Sequence, residues 1–202
     1  MLTLYGSPKT RSSRVQWLLE ELGVPYELKN IDLKTGDSKS PDYLKIHPHG
    51  AVPALVDGDK CLIESAALCA YLADKYGKFS PRVDSAERGD YYQWLFYGVA
   101  TLEPPLMKVF MHTARYPEDK RVPAIAEEGK QGFQSCATVL EDHLRTRNYI
   151  LGKDFTAADC VVGSLLAFAK NLGLTNGYPT IEAYVARIKS RPAFQRMIAT
   201  PA

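Results

Sequence analysis

The 202-residue chain has only four cysteines and four histidines. Cys61, Cys69, Cys136 and Cys160 form no CxxC pair, and no ligand spacing links them to His47, His49, His112 or His143, so no metal site is expected. Each cysteine sits in an apolar run, which predicts buried, reduced thiols and a cytoplasmic protein. A charge excess is missing as well: 25 Lys and Arg against 23 Asp and Glu leave +2. Nucleic-acid binding, which usually shows a basic excess or stripe, is therefore not expected. No apolar run approaches the ~18 residues of a membrane helix. Met1 to Tyr5 lacks a basic leader and a long apolar core, so neither a signal peptide nor a membrane partner is expected. Repeats and low-complexity segments are absent too. What is present is an ordinary hydrophobic fraction of 46% and length enough for one large core or two small ones.

Strand and helix signals alternate through the first 77 residues. Leu2 to Tyr5 is a short β-type run. Val15, Leu18, Leu19 and Leu22 then fall at i, i+3, i+4 and i+7, with Gly23 as a helix stop. Tyr26 to Leu33 reads as a second strand. Val52 to Val56 and Cys61 to Ile63 flank Asp57-Gly58-Asp59-Lys60 as a hairpin. A helix follows from Ser65, with Leu68, Tyr71 and Leu72 on one face and Gly77 at its end. The order is β-α-β, then β-β-α.

Beyond that point the strand signals stop, so the fold class is α/β followed by all-α. Residues 1–78 form the first domain, 79–85 a linker, and 86–202 a domain of about five helices. Asp84-Ser85-Ala86-Glu87 reads as a capping box opening a helix with Tyr92, Leu95, Val99 and Leu102 on its core face. Pro104 and Pro105 must kink or break that helix. Phe133, Ala137, Leu140 and Leu144 mark another. Thr156 and Asp159 have the T-x-x-D spacing of a capping box, a structural role.

The stretch YGSPKTRSSRVQWLLEELG carries the chemistry. Ser7, Lys9, Thr10, Arg11, Ser12, Ser13 and Arg14 crowd one helix start, where unpaired N–H groups and the positive end of the helix dipole favour an anion. Capping needs one such hydroxyl, and four are present. The basic residues read equally well as a solvated cluster. Val52-Pro53 has two readings: an edge-strand proline, or a cis bond that turns the Val52 backbone outward toward another chain. Glu64-Ser65 at a helix start is either a cap or a paired site, the carboxylate for an ammonium and the hydroxyl for a carboxylate.

In combination, SPKTRSS, HPHGAVPALVDG and LIESAALCAYLADKYG, in that order, resemble the glutathione transferase family. RVQWLLEELGVPYE is similar to its first helix and second strand, and GKDFTAADCVVGSLLA to its capping motif. The resemblance covers essentially the whole chain. It implies a thioredoxin-like N-terminal domain, a helical C-terminal domain, a homodimer, and glutathione as co-substrate. It further implies that Val52 and Pro53 meet the cysteinyl backbone of glutathione and that Glu64 and Ser65 hold its γ-glutamyl group. Many relatives have Lys before Val-Pro, where this chain has Ala51. The glycine carboxylate is then left to Arg11, Lys39 or His49.

The nucleophile is a thiolate, and a thiol pKa of about 8.5 leaves little of it at neutral pH. A drop of about 2 units needs about 2.7 kcal/mol, within reach of hydroxyl hydrogen bonds and a helix N-terminus. The resemblance implies Thr10 first, Ser12 next, and Tyr5 as the rival phenol. With no cysteine in the loop, the cysteine-type classes are not expected. The electrophile, a small hydrophobic molecule, is expected at Tyr97, Thr101, Pro105 and Met107. Transfer to such electrophiles, with peroxide reduction beside it, is the implied activity. A catalytically silent scaffold or hydrophobic-ligand binder of the same fold is the alternative.

Overall fold

The computed structural model describes residues 1–200. Alternation sets the first strand, β1 (Leu2–Gly6): Leu2, Leu4 and Gly6 are buried, with Thr3 and Tyr5 on the opposite face. Helix α1 (Ser12–Leu22) buries Val15, Leu18, Leu19 and Leu22, as their spacing predicts, and ends at Gly23 with φ 65. Strand β2 (Tyr26–Asn30) stops short of the expected Leu33. A turn takes over, in which Lys34 N–H donates to Asp32 Oδ1 at 2.7 Å. A 3₁₀ turn (Asp37–Lys39) precedes α2 (Pro41–Ile46), capped by Ser40, whose Oγ accepts the Tyr43 N–H at 3.3 Å.

Strands β3 (Ala54–Asp57) and β4 (Lys60–Ile63) form the expected hairpin. Helix α3 (Ser65–Tyr76) closes at Gly77, φ 61. The sheet order is β2-β1-β3-β4, with β1 parallel to β2 and the other pairs antiparallel. Strand β4 is therefore an edge. Its Cys61 is exposed, against the expectation of four buried thiols; Cys69, Cys136 and Cys160 are buried, and all four are free.

The chain forms two compact units, one of Met1–Ser80 with the residues from Ser190 on, the other of Pro81–Lys189. The second unit holds α4 (Arg88–Phe96), α5 (Glu103–Phe110), α6 (Pro123–Leu144), α7 (Ala157–Asn171) and α8 (Pro179–Lys189). The sequence carried the helical domain to 202, but Pro192 opens a separate helix, α9 (Pro192–Ala199), that belongs to the first unit. The cause lies in its contacts with α1. Phe194 meets the fully buried Trp17 edge-on at 5.0 Å, and Arg191 grips Glu21 with two bonds of 2.6 and 2.8 Å.

The expected capping box at 84–87 does not form. The Asp84 carboxylate pairs instead with Arg82, and α4 starts at Arg88 without a side-chain cap. Leu95 and Leu102 are buried as expected, but Tyr92, expected in the core, is 41% exposed, and Tyr91 and Trp94 are buried in its place. The prolines do interrupt α-helical regularity, through π turns over Tyr97–Leu102 that shift the apolar face. Pro105 has no N–H for the carbonyl of Thr101, and that oxygen takes the Cys136 S–H at 3.7 Å instead. Gly98 lets α7 approach: a Cβ there would lie 2.7 Å from Val161 Cγ1.

Candidate active site

One row of the sheet gathers the loops that carry chemistry. Tyr5 pairs with Ala54, and Ala54 with Ile63. The antiparallel register thus brings the end of β1, the start of β3 and the end of β4 to one edge. Strands lie ~5 Å apart, so the Ser7 loop, Val52-Pro53 and Glu64-Ser65 leave the sheet within ~10 Å of each other. The Val52–Pro53 bond is cis.

At the first loop, Thr10 Oγ1 lies 2.6 Å from the Ser7 carbonyl oxygen and 2.9 Å from Ser12 Oγ. Ser7 N–H donates to Ser12 Oγ, and Ser12 N–H to Thr10 Oγ1, both at 3.2 Å. A hydroxyl has one proton, so Thr10 donates to the carbonyl and Ser12 completes the chain by donating to Thr10. Ser12 is buried and Thr10 half-buried. Arg11 is the N-cap of α1 and makes no cap bond with its side chain, so Thr10 takes that part. Gly6 is required: a Cβ would lie 2.8 Å from that of Ser12. Tyr5 sits outside this chain of hydroxyls, its ring 5.8 Å from that of Tyr43 and under the Lys29 ammonium.

At the third loop Glu64 is exposed, has φ 71, and makes no capping bond. A left-handed conformation on a non-glycine residue costs ~1 kcal/mol or more, and such strain collects at functional positions. Ser65 is buried, and its Oγ accepts from Arg14 Nη1 at 3.3 Å. Arg14 is itself only 4% exposed, so it is no member of a solvated cluster. The sequence hint was its place in α1, seven residues before Glu21 in the buried helix. Of the cations, Lys39 and His49 come together: Lys39 Nζ donates to His49 O at 2.8 Å.

Sequence reasoning overlooked His47, buried beside this pair. Burial first, then His49 and Lys39, push its imidazole below the ordinary range, and Glu64 pulls the other way. In the second unit, Tyr97 is half-buried against Cys136, and desolvation pushes its phenol well above the usual range. Pro105 packs on α6, where a Cβ on Gly132 would lie 3.0 Å from it. Thr101 is exposed and Met107 half-buried. Among the described residues no cluster of three or more His, Cys, Asp or Glu could hold a metal ion.

A β2-β1-β3-β4 sheet with a cis-proline opening β3, followed by a helical unit, defines the thioredoxin-like class with a C-terminal helical domain. Residues 1–74 match the glutathione S-transferase N-terminal domain and residues 123–187 its C-terminal domain. Glutathione S-transferase 3 of Zea mays is 32% identical, over 98% of this chain and 93% of that protein. The Disulfide-bond oxidoreductase YfcG of Escherichia coli is 29% identical, over 96% and 92%. A crystal structure of a glutathione transferase family member from Pseudomonas fluorescens, with two glutathione bound, superposes with a TM-score of 0.87. Its identity is 31%, over 99% of this chain and 93% of that one. The chain belongs to the glutathione S-transferase family.

Proposed function

We propose that the protein is a glutathione transferase that holds the thiol of glutathione as a thiolate and directs it at hydrophobic electrophiles, peroxides included. The observation that carries this reading is the Tyr5–Ala54–Ile63 row, which sets the hydroxyl loop, the cis-proline and the Glu64-Ser65 helix start side by side. The Val52 backbone pairs with the cysteinyl unit beside Pro53. Glu64 takes the ammonium, and the Ser65 hydroxyl with the α3 N–H groups takes the γ-glutamyl carboxylate. Lys39, with His49 next to it, takes the glycine carboxylate in place of a lysine at position 51, and Arg11 is a further cation at the α1 start.

Thr10 is the proposed donor to sulfur. Its hydroxyl is the more accessible of the bonded pair, and it must leave the Ser7 carbonyl to serve. Ser12 and the α1 N-terminus hold it in place, and Tyr5 is the alternative donor. Tyr97, Thr101, Pro105 and Met107 are proposed for the electrophile. A cytoplasmic homodimer fits this reading. A second reading, a silent relative that binds without turnover, draws on the 2.6 Å bond that already occupies the Thr10 proton.

Ultraviolet difference titration of bound glutathione separates the two. The bound thiol should titrate about 2 units below its free value, and Thr10→Val should restore ~1–2 units, the equivalent of one hydrogen bond to a charged sulfur. Tight binding with an unshifted thiol would establish the silent reading instead. Full turnover in Thr10→Val, Ser12→Ala and Tyr5→Phe alike would remove the hydroxyl loop from the mechanism.

A further inference from the structure

His47 is the buried side chain at the root of the loop that presents Val52. It closes α2: its N–H donates to Tyr43 O at 2.8 Å, and its carbonyl accepts the Gly50 N–H at 2.7 Å. The residue is 5% exposed, with its ring 6.3 Å from that of Tyr43 and 6.1 Å from that of His49. Its Nδ1 is sealed from solvent and has no hydrogen-bond partner. The chain ahead has little freedom. Gly50 has φ 56, and a Cβ there would lie 2.3 Å from Ser38 O. The Tyr43 hydroxyl donates to Ala51 O at 2.6 Å.

We propose that His47 is a positioning residue for glutathione: its neutral ring keeps the Gly50–Val52 loop in binding shape, and a proton on Nδ1 displaces the ring and releases the ligand. This rests on the assignment of Val52, Glu64 and Ser65 to glutathione. A sealed lone pair is a modest cost. A sealed imidazolium whose N–H finds no acceptor is a far larger one, because the charge is desolvated as well. The ring yields first, and a backbone shift that brings it to water loosens the bonds that the same residue's N–H and carbonyl make to Tyr43 and Gly50.

The neighbouring groups act in the same sense. Lys39 from the 3₁₀ turn and His49 from the loop disfavour a charge on His47, Tyr43 of α2 is a neutral phenol at this pH, and Glu64 at the start of α3 favours it, as does the residue's own backbone carbonyl, which already accepts the Gly50 N–H. A ligand ammonium on Glu64 cancels that attraction. Binding and the neutral ring therefore reinforce each other, and binding in weak acid expels a proton.

The test is calorimetric titration of the full chain with S-methylglutathione, which has no thiol proton to lose, from about pH 7.5 to about pH 5, a window in which the ligand's carboxylates and ammonium do not titrate. The wild-type dissociation constant should rise about tenfold or more toward pH 5, since a single linked proton gives up to a tenfold change per pH unit. His47→Asn, which keeps a neutral acceptor, should vary less than about threefold. His49→Asn should bind more weakly throughout and keep the acid loss. A flat wild-type profile, or an acid loss that survives in His47→Asn or vanishes in His49→Asn, would overturn the proposal. No binding even at about pH 7.5 would instead sink the glutathione-site reading itself. Should His47→Asn fail to fold, proton NMR of the wild-type histidine rings decides. His47 should titrate below 6.5, and lower still with S-methylglutathione bound; a ring indifferent to ligand overturns the proposal.

Discussion

Asp159→Ala tests how the helical unit is anchored. The carboxylate is wholly buried at the start of α7 and serves donors from three segments. Oδ1 accepts from Ile150 N–H at 2.8 Å and the Tyr184 hydroxyl at 2.9 Å. Oδ2 accepts from Thr156 N–H at 2.8 Å and Thr156 Oγ1 at 3.1 Å. Alanine strands those buried donors, each at about 1–3 kcal/mol, and relaxation or entering water recovers part of the sum. The expected cost at neutral pH is about 3–5 kcal/mol, or a melting point lower by roughly 6–20 °C for a chain of this size.

The pH dependence sharpens the test. Burial, outweighing the hydrogen bonds, pushes the Asp159 carboxyl from 3.8 up to about 6. The folded chain therefore binds that proton more tightly than the unfolded one, and between those values the stability contributed by Asp159 falls as pH rises. The rise caps this contribution at about 3 kcal/mol. Since alanine removes it, the substitution should cost more near pH 4 than near pH 7, by up to about 3 kcal/mol. Paired denaturant titrations at both pH values measure the difference. A cost that grows from acid to neutral would refute the reasoning, because the ionised carboxylate would then be the form the fold prefers.

Gly98→Ala should destabilise by about 1–3 kcal/mol, its Cβ falling 2.7 Å from Val161 Cγ1, and Val161→Ala in the same chain should recover most of it in thermal melts. Lys39→Met should raise the KM for glutathione about tenfold or more with kcat nearly unchanged, since it removes a charged contact made alike in ground and transition states. An unchanged KM would exclude Lys39 from the glycine carboxylate. A thiol reagent should modify Cys61 alone in the native protein and reach Cys69, Cys136 and Cys160 only after unfolding, as counted by mass spectrometry.

Local rules were legible wherever one period or one residue type decides the outcome. The α1 face, Gly23, Gly77, the hairpin at Gly58 and the T-x-x-D box of α7 are each fixed by neighbours within a turn or two of chain. The failures share a physical cause, which is that the deciding partner lies far along the chain. Arg14 looked like surface charge because its acceptor, Ser65, is 51 residues away. Pro192 was a visible helix break, yet where α9 would go depended on Glu21, 170 residues earlier.

The candidate site divides along the same line. Hydroxyls and cations in the first loop announce an anion, because helix starts favour one by elementary electrostatics. Which hydroxyl is free to serve it does not follow from composition, since Thr10 and Ser12 differ only in what each already holds. Lys39 and His49 were two of three interchangeable cations until a single bond put them together. His47 gave no signal in the sequence, where a histidine before proline is as much loop as site. Its sealed Nδ1 appears only when the turn is closed around it, which is why the pH profile of binding, and not the motif, is the measurement that assigns it a role.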